Sequence, residues 1–222
     1  LGMYRMAKHH AIVKRLSAVE TLGCTTVICT DKTGTLTLNQ MTARAIVYLG
    51  RNFSISGEGY EGKGKITTDD HKPLPDFKPL LYPAVLANDS KINNSQLIGD
   101  PTDGALLALA MKAGIQLEEL VALHPRIAEI PFDSSYKFQV SFHKEDNNSI
   151  RLYIKGALDV LLKHSSSYLS EKGEMALDAH ALDYWMNENH RLGSSALRVI
   201  ACATRLIPES EFKSTKNLMD LV

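Results

Sequence analysis

The chain has 222 residues, 44% hydrophobic and 23% charged, which is enough to build a real core across one or two domains and too apolar for a disordered polymer. Lys plus Arg and Asp plus Glu balance at 25 each, so there is no electrostatic case for nucleic acid or an anionic membrane surface as a partner. Three cysteines, Cys24, Cys29 and Cys202, show no CxxC spacing and make no disulfide framework; they are expected to be buried, reduced thiols. No apolar run reaches the roughly 18 residues of a membrane helix, and no secretory signal opens the chain. The start without methionine suggests an excerpt of a longer protein; the excerpt itself is expected to be soluble and monomeric.

Residues 3–16 place Met3, Met6, Ala7, Ile12, Val13 and Leu16 among Lys and Arg, the pattern of a basic amphipathic helix. Residues 19–23 read as a connection. The β-branched run at 25–30 predicts a strand buried on both faces, as in a parallel sheet, ending at Asp31. Residues 43–49 and 52–55 predict a hairpin around Gly50-Arg51, and 57–76, rich in Gly, Asp, Lys and Pro, an exposed loop. Helices are expected over 79–87 and over 102–113, the latter with Thr102 as N-cap and Gly114 as the stop. Strands follow at 128–130, 138–143 and 151–154, with residues 146–149 as the turn between the last two. Helices at 157–164 and 178–192, a strand at 197–206 and an exit segment with a short helix at 208–222 complete the pass. The expected fold class is α+β, an antiparallel sheet flanked by helices and inserted into another domain.

The string Asp31-Lys32-Thr33-Gly34-Thr35-Leu36-Thr37 carries the most chemistry. A carboxylate at a strand end, followed by a glycine turn, is accessible for attack on phosphorus, and Asp can form an acyl phosphate. Thr33 and Thr35 offer hydroxyls to phosphate oxygens, and the turn amides an anion nest. Mg²⁺ would offset carboxylate–phosphate repulsion. The plainer reading is that Asp31 only opens a turn.

This string resembles, letter for letter, the phosphorylation motif of P-type ATPases. Met6-Ala7-Lys8 through Val19-Glu20-Thr21-Leu22-Gly23 looks like the stalk that leaves the fourth membrane helix in that family, and Leu38-Asn39-Gln40-Met41-Thr42 like the hinge into its nucleotide-binding domain. The resemblance implies Asp31 as the phosphorylated catalytic residue in a partial haloacid-dehalogenase-like α/β domain, with Asp31 and Thr33 at Mg²⁺. Many phosphatases of that superfamily carry a second Asp where Thr33 stands. A hydroxyl cannot activate water as a carboxylate does, so a longer-lived aspartyl phosphate is implied.

Four further stretches resemble the nucleotide-binding domain of the calcium- and sodium-pump-like branch. In Gly99-Asp100-Pro101-Thr102-Asp103-Gly104, Asp103 matches an acidic position near the adenine amino group, with Asp where many relatives have Glu. Its plainer reading is a first-turn carboxylate favouring the helix dipole. In Pro131-Phe132-Asp133-Ser134 to Lys137, Phe132 would stack on adenine and Lys137 would lie near base or phosphates; the plainer reading of Phe132 is a core aromatic. In Lys155-Gly156-Ala157, Lys155 would point a cation into the cleft and Gly156 would let the backbone approach a ligand. In Leu197-Arg198-Val199-Ile200-Ala201, Arg198 would contact ATP phosphates.

The implied whole is an ATP- and Mg²⁺-dependent cation pump, with calcium as the first guess for the ion and this chain on the cytoplasmic face of the membrane. Its partners would be the remaining phosphorylation, actuator and transmembrane parts. The implied division is 1–42 stalk and first part of the phosphorylation domain, 43–206 nucleotide-binding domain, and 207–222 return hinge. The family's later Thr-Gly-Asp and Gly-Asp-Gly motifs do not occur, so this stretch alone is expected to bind ATP and hardly phosphorylate itself. The rival readings are a haloacid-dehalogenase-type phosphatase and a nucleotide-binding module without its own catalysis.

Overall fold

The structure is a computed structural model that describes residues 2–146 and 148–222. Asn147, in the expected turn, and the side chain of Leu16, in the expected first helix, lie outside the described residues. The chain divides into two units, Leu1–Asn39 and Gln40–Val222.

In the first unit the helix expected over 3–16 stops at Lys8, as α1 (Gly2–Lys8), and a second helix, α2 (Leu16–Gly23), takes in the expected connection at 19–23. The break is at His10, which is left-handed with φ 61°. Its N–H donates to the Ala7 carbonyl and that of Ala11 to the Met6 carbonyl, at 3.0 and 2.9 Å. This is the closing pattern of a helix C-terminus. The strand expected at 25–30 is absent, and Val27 and Ile28 are 75% and 82% exposed. A strand needs backbone partners on a neighbour, and no described residue of this unit is in one. Cys24 and Cys29 are exposed, contrary to expectation.

The second unit begins with the expected hairpin, β1 (Ala45–Tyr48) and β2 (Arg51–Ile55). Leu49 and Gly50 both have positive φ, 55° and 72°, the tight turn that matches strand twist. The stretch expected as an exposed loop contributes a third strand, β3 (Ile66–Thr67), and buries Tyr60 and Ile66. Helix α3 (Lys78–Leu86) follows. A second hairpin, β4 (Lys91–Asn93) and β5 (Gln96–Ile98), turns through left-handed Asn94 and Ser95.

Helix α4 (Pro101–Lys112) is capped by Asp100 rather than Thr102: the Asp100 carboxylate accepts from the Thr102 and Asp103 N–H groups at 2.7 and 3.3 Å. Gly114, φ 83°, ends it as expected. Helix α5 (Leu117–Leu123) leads to the main sheet: β6 (Arg126–Ile130), β7 (Phe138–Glu145), β8 (Ser149–Gly156) and β11 (Ala201–Pro208), antiparallel in the order β11-β8-β7-β6. Between β8 and β11 lie α6 (Leu158–Leu161), a 3₁₀ turn (Leu162–His164), the hairpin β9 (Ser167–Ser170) and β10 (Gly173–Ala176), and α7 (Ala179–Ser194). Helix α8 (Glu209–Ser214) and a 3₁₀ turn (Leu218–Leu221) follow β11. No helix of the described residues is long and apolar enough to cross a membrane.

The central strand β7 is buried at every position from Phe138 to His143. Phe138, Val140 and Phe142 join Ile150, Leu152 and Ile154 of β8 in one apolar cluster. Their alternate neighbours are polar and face the other way. On that face Tyr153 joins Leu81 and Val85 of α3 and Leu107 of α4 in a second cluster.

His143 sits on the polar face, accepting at Nε2 from the Ser141 hydroxyl and donating from Nδ1 to the His124 carbonyl, both at 2.8 Å. Burial pushes its pKa down to about 4, the carbonyl opposing and Arg126 adding to the depression. The native state therefore takes up this proton later than the unfolded chain, and stability is complete above pH ~6.5 and lost as pH falls toward 4. Urea unfolding of the wild type against His143→Gln across that window should show the wild type losing about 2 kcal/mol more.

Candidate functional site

The polar face of the main sheet ends in a cluster built from three elements. At the end of β8, Lys155 lies opposite Gln139 of β7 and Cys202 of β11. Its side chain is buried, yet its ammonium is ion-paired with the Asp103 carboxylate in the first turn of α4. The residue before Asp103, Thr102, accepts from Arg198 Nη1 at 3.3 Å. One helical turn thus gathers Asp103, Lys155, Thr102 and Arg198. Thr102 and Arg198 also line a cavity of about 1280 Å³, to which Asp103, Phe132, Lys137 and Lys155 do not contribute.

Lys137 stands at the entry to β7 with a left-handed backbone, φ 59°. Its N–H donates to the Asp133 carbonyl at 2.7 Å, and its carbonyl accepts from the Ala157 N–H at 3.0 Å. Gly156 pairs with Phe138, and a Cβ on Gly156 would lie 2.6 Å from both the Lys137 carbonyl oxygen and Phe138 Cβ. Glycine is required here by the chain's own strand packing. Phe132 is 60% exposed, which removes the core-aromatic reading. The Asp133 carboxylate next to it folds onto Ser135, accepting from its N–H and hydroxyl at 2.7 and 2.6 Å, and these bonds hold its pKa below the usual range.

Arg198 lies in the lead into β11, which starts at Ala201, not at 197 as expected. Helix α7 ends at Ser194 and the chain turns away through left-handed Ala196, φ 58°, after which 197–200 pass without strand pairing. That lead is what allows Arg198 to reach α4.

Several site-side residues were not anticipated. Asp89 accepts from Arg126 Nη1 and from Gln139 Nε2, both at 2.7 Å. Burial would raise the Asp89 pKa, but Arg126, Gln139 and Lys155 together hold it low. Gln139 was visible as a polar residue between the apolar Phe138 and Val140; Asn88-Asp89 carried only a turn signal. Cys202 is partly buried, and desolvation pushes its thiol up to about 12 against the pull of Lys155. It is a protonated, unreactive thiol at neutral pH.

In the first unit, Asp31 is exposed and opens a turn in which the Leu36 and Thr37 N–H groups donate to the Lys32 carbonyl at 3.0 and 3.2 Å. Gly34 is left-handed there, φ 73°. Among the described residues no group of three or more His, Cys, Asp or Glu could hold a metal ion.

The Asp103–Lys155 pair makes a sharp test of the cluster. Removing one partner of a buried pair leaves the other charge uncompensated. Asp103→Asn should cost about 2–3 kcal/mol in urea unfolding, and adding Lys155→Met should restore most of it.

A family profile described as "P-type ATPase, cytoplasmic domain N" matches residues 76–220, which include all of the main sheet and the cluster. The chain is 40% identical to a mouse (Mus musculus) protein named calcium-transporting ATPase type 2C member 1 over 212 residues, covering 92% of this chain and 23% of that protein. It is 39% identical to a calcium-transporting ATPase of Bacillus subtilis, covering 96% of this chain and 25% of the relative. It is 37% identical to the cation-transporting ATPase pma1 of Synechocystis sp., covering 93% and 24%. The chain spans about a quarter of the length of these relatives. A mixed α/β unit with antiparallel sheets, matched over 145 residues by the profile (76 to 220 inclusive), leaves one assignment: the chain belongs to the family of P-type ATPase cytoplasmic N domains.

Proposed function

We propose that this chain is the ATP-binding cytoplasmic portion of a P-type ATPase that couples ATP hydrolysis to cation transport across a membrane, with calcium as the ion. The observation that carries the reading is the joint of Asp103 with Lys155 and of Thr102 with Arg198 across one helical turn. It offers a carboxylate for an amino group and two cations for phosphates within one cluster. Exposed Phe132 supplies the aromatic face on which a purine stacks, and Lys137 a further cation near it. The names of the relatives support calcium over other cations.

In this reading residues 43–206 bind the nucleotide. Residues 1–42 belong to the stalk and to a haloacid-dehalogenase-like phosphorylation domain into which the nucleotide domain is inserted, and 207–222 return toward it. The actuator and transmembrane parts of the pump are its partners. A carboxylate oxygen of Asp31 attacks the γ-phosphorus, the bond to the β–γ bridging oxygen breaks, and ADP leaves with that electron pair. Water later attacks the aspartyl phosphate, releasing phosphate and restoring the carboxylate. With Thr33 two positions on, no carboxylate beside Asp31 activates that water, and the phosphoenzyme persists.

Mg²⁺ is held by few protein ligands and by substrate phosphates. The hard oxygens of Asp31 and Thr33 fit that donor set, and the ion would neutralise charge between carboxylate and phosphate. The Thr-Gly-Asp and Gly-Asp-Gly motifs that complete the family's phosphorylation domain do not occur in these 222 residues, so this chain is expected to bind ATP without efficient phosphoryl transfer.

Titrating the chain with ATP and following backbone amide shifts should move Phe132, Lys137, Lys155 and Arg198. Lys155→Met should weaken ATP at least tenfold, about 1.4 kcal/mol. Shifts confined to other residues would sink the assignment. Incubation with γ-labelled ATP and Mg²⁺ should leave Asp31 essentially unlabelled in this chain, and hydroxylamine-sensitive label at high occupancy would contradict that.

A further inference from the structure

We propose that Asn88 and Arg126 are positioning residues for the nucleotide site, acting through the first turn of α4; this rests on the reading of that site given above. Neither side chain touches Lys155, Arg198, Phe132 or Lys137 among the described contacts. Asn88 acts on backbone, and Arg126 on two backbone carbonyls and on the carboxylates of Asp89 and Glu129.

Asn88 is buried and uses its whole amide. Nδ2 donates to the Ala84 carbonyl in α3 and to the Asp103 carbonyl in α4, both at 3.1 Å. Oδ1 accepts from the Ser90 N–H at 2.9 Å. Ser90 Oγ in turn accepts from the Asp100 N–H at 2.9 Å. The turn at 88–90 therefore grips α4 at its cap and at the residue that pairs with Lys155. The fit against that cap is tight: a Cβ on Gly99, φ 129°, would lie 2.2 Å from Ser90 Oγ.

Arg126 fixes the same turn to the main sheet. From the start of β6 its Nη2 donates to the Leu86 and Asn88 carbonyls, both at 2.8 Å, while Nη1 reaches Asp89 at 2.7 Å. With Glu129 also on Nη1 the fork serves four acceptors, one more than the three N–H donors of a lysine. The path runs from β6 through Arg126 to the 86–90 turn, then through Asn88 to α4. Its end carries two site contacts at once, Asp103–Lys155 and Thr102–Arg198. Displacing that turn by about 1 Å misplaces both, which is enough to cost an order of magnitude or more in a preorganised site.

Asn88→Asp is the informative variant. It keeps the volume and the acceptor for Ser90 but deletes both donated bonds. ATP affinity of the full chain should fall about tenfold, and Arg126→Lys should fall several-fold. In a Lys155→Met background the Asn88→Asp loss should shrink below about threefold, because one contact it positions is already gone. An equal tenfold loss in both backgrounds would reduce Asn88 to a general structural residue. Without nucleotide, Asn88→Asp should shift the amides of Thr102, Asp103 and Lys155 and leave Val140 and Phe142 in place. Unmoved Asp103 and Lys155 amides would overturn the proposal even if ATP fails to bind the wild type, an outcome that defeats the site reading instead. If Asn88→Asp does not fold, Arg126→Lys carries the same amide and affinity predictions.

Discussion

A strand buried on both faces must satisfy two kinds of demand, and β7 does so by alternation. Phe138, Val140 and Phe142 fill an apolar cluster, while Gln139, Ser141 and His143 turn to the helices. Buried polar groups without partners are costly, so the helical side has to supply acceptors and donors at set places. It does: Asp89 for Gln139, the His124 carbonyl for His143, and Ser141 within the strand itself. Lys155, one strand over, extends the row and meets Asp103. The candidate site is the open end of a polar layer that the fold needs in any case.

That layer explains why so few residues join so many elements. The first turn of α4 meets β8 through Asp103 and the lead to β11 through Thr102. The turn after α3 meets β6 through Arg126 and α4 through Asn88. The Asp103–Lys155, Arg126–Asn88 and Asn88–Asp103 contacts are partly buried, where such bonds are stronger and missing partners more harmful, while Arg198–Thr102 is exposed.

Much of this was legible in advance, and the failures have physical causes. The alternation Phe-Gln-Val-Ser-Phe-His announces a two-faced strand, and the hairpin expected around Gly50-Arg51 is observed with its turn one residue earlier, at Leu49-Gly50. The cap of α4 was misplaced by two residues, although Pro101 at the first helical position points to Asp100. The hairpins β4–β5 and β9–β10 are three and four residues per strand, too short for periodicity to register. The run at 25–30 has strand composition but no partner among the described residues of its unit, and composition cannot supply one. Lys155, Arg198, Asp103 and Phe132 came from motif resemblance; Asn88 and Arg126 did not, because their role is in carbonyls they hold, and carbonyls have no letter in a sequence.

The cap of α4 has a consequence for how charge is recognised. A helix N-terminus is often where anions rest, on free N–H groups and the positive end of the dipole. Here the Thr102 and Asp103 N–H groups already donate to the Asp100 carboxylate, and that of Gly104 to its carbonyl at 2.9 Å. The helix end is neutralised from within. In the proposed nucleotide site, a polyphosphate placed beside it would meet two carboxylates, Asp100 and Asp103, and would have to rely on long cationic side chains. Attraction of that kind is set by ionic strength and by how far flexible arms can reach, more than by a rigid cradle of amides.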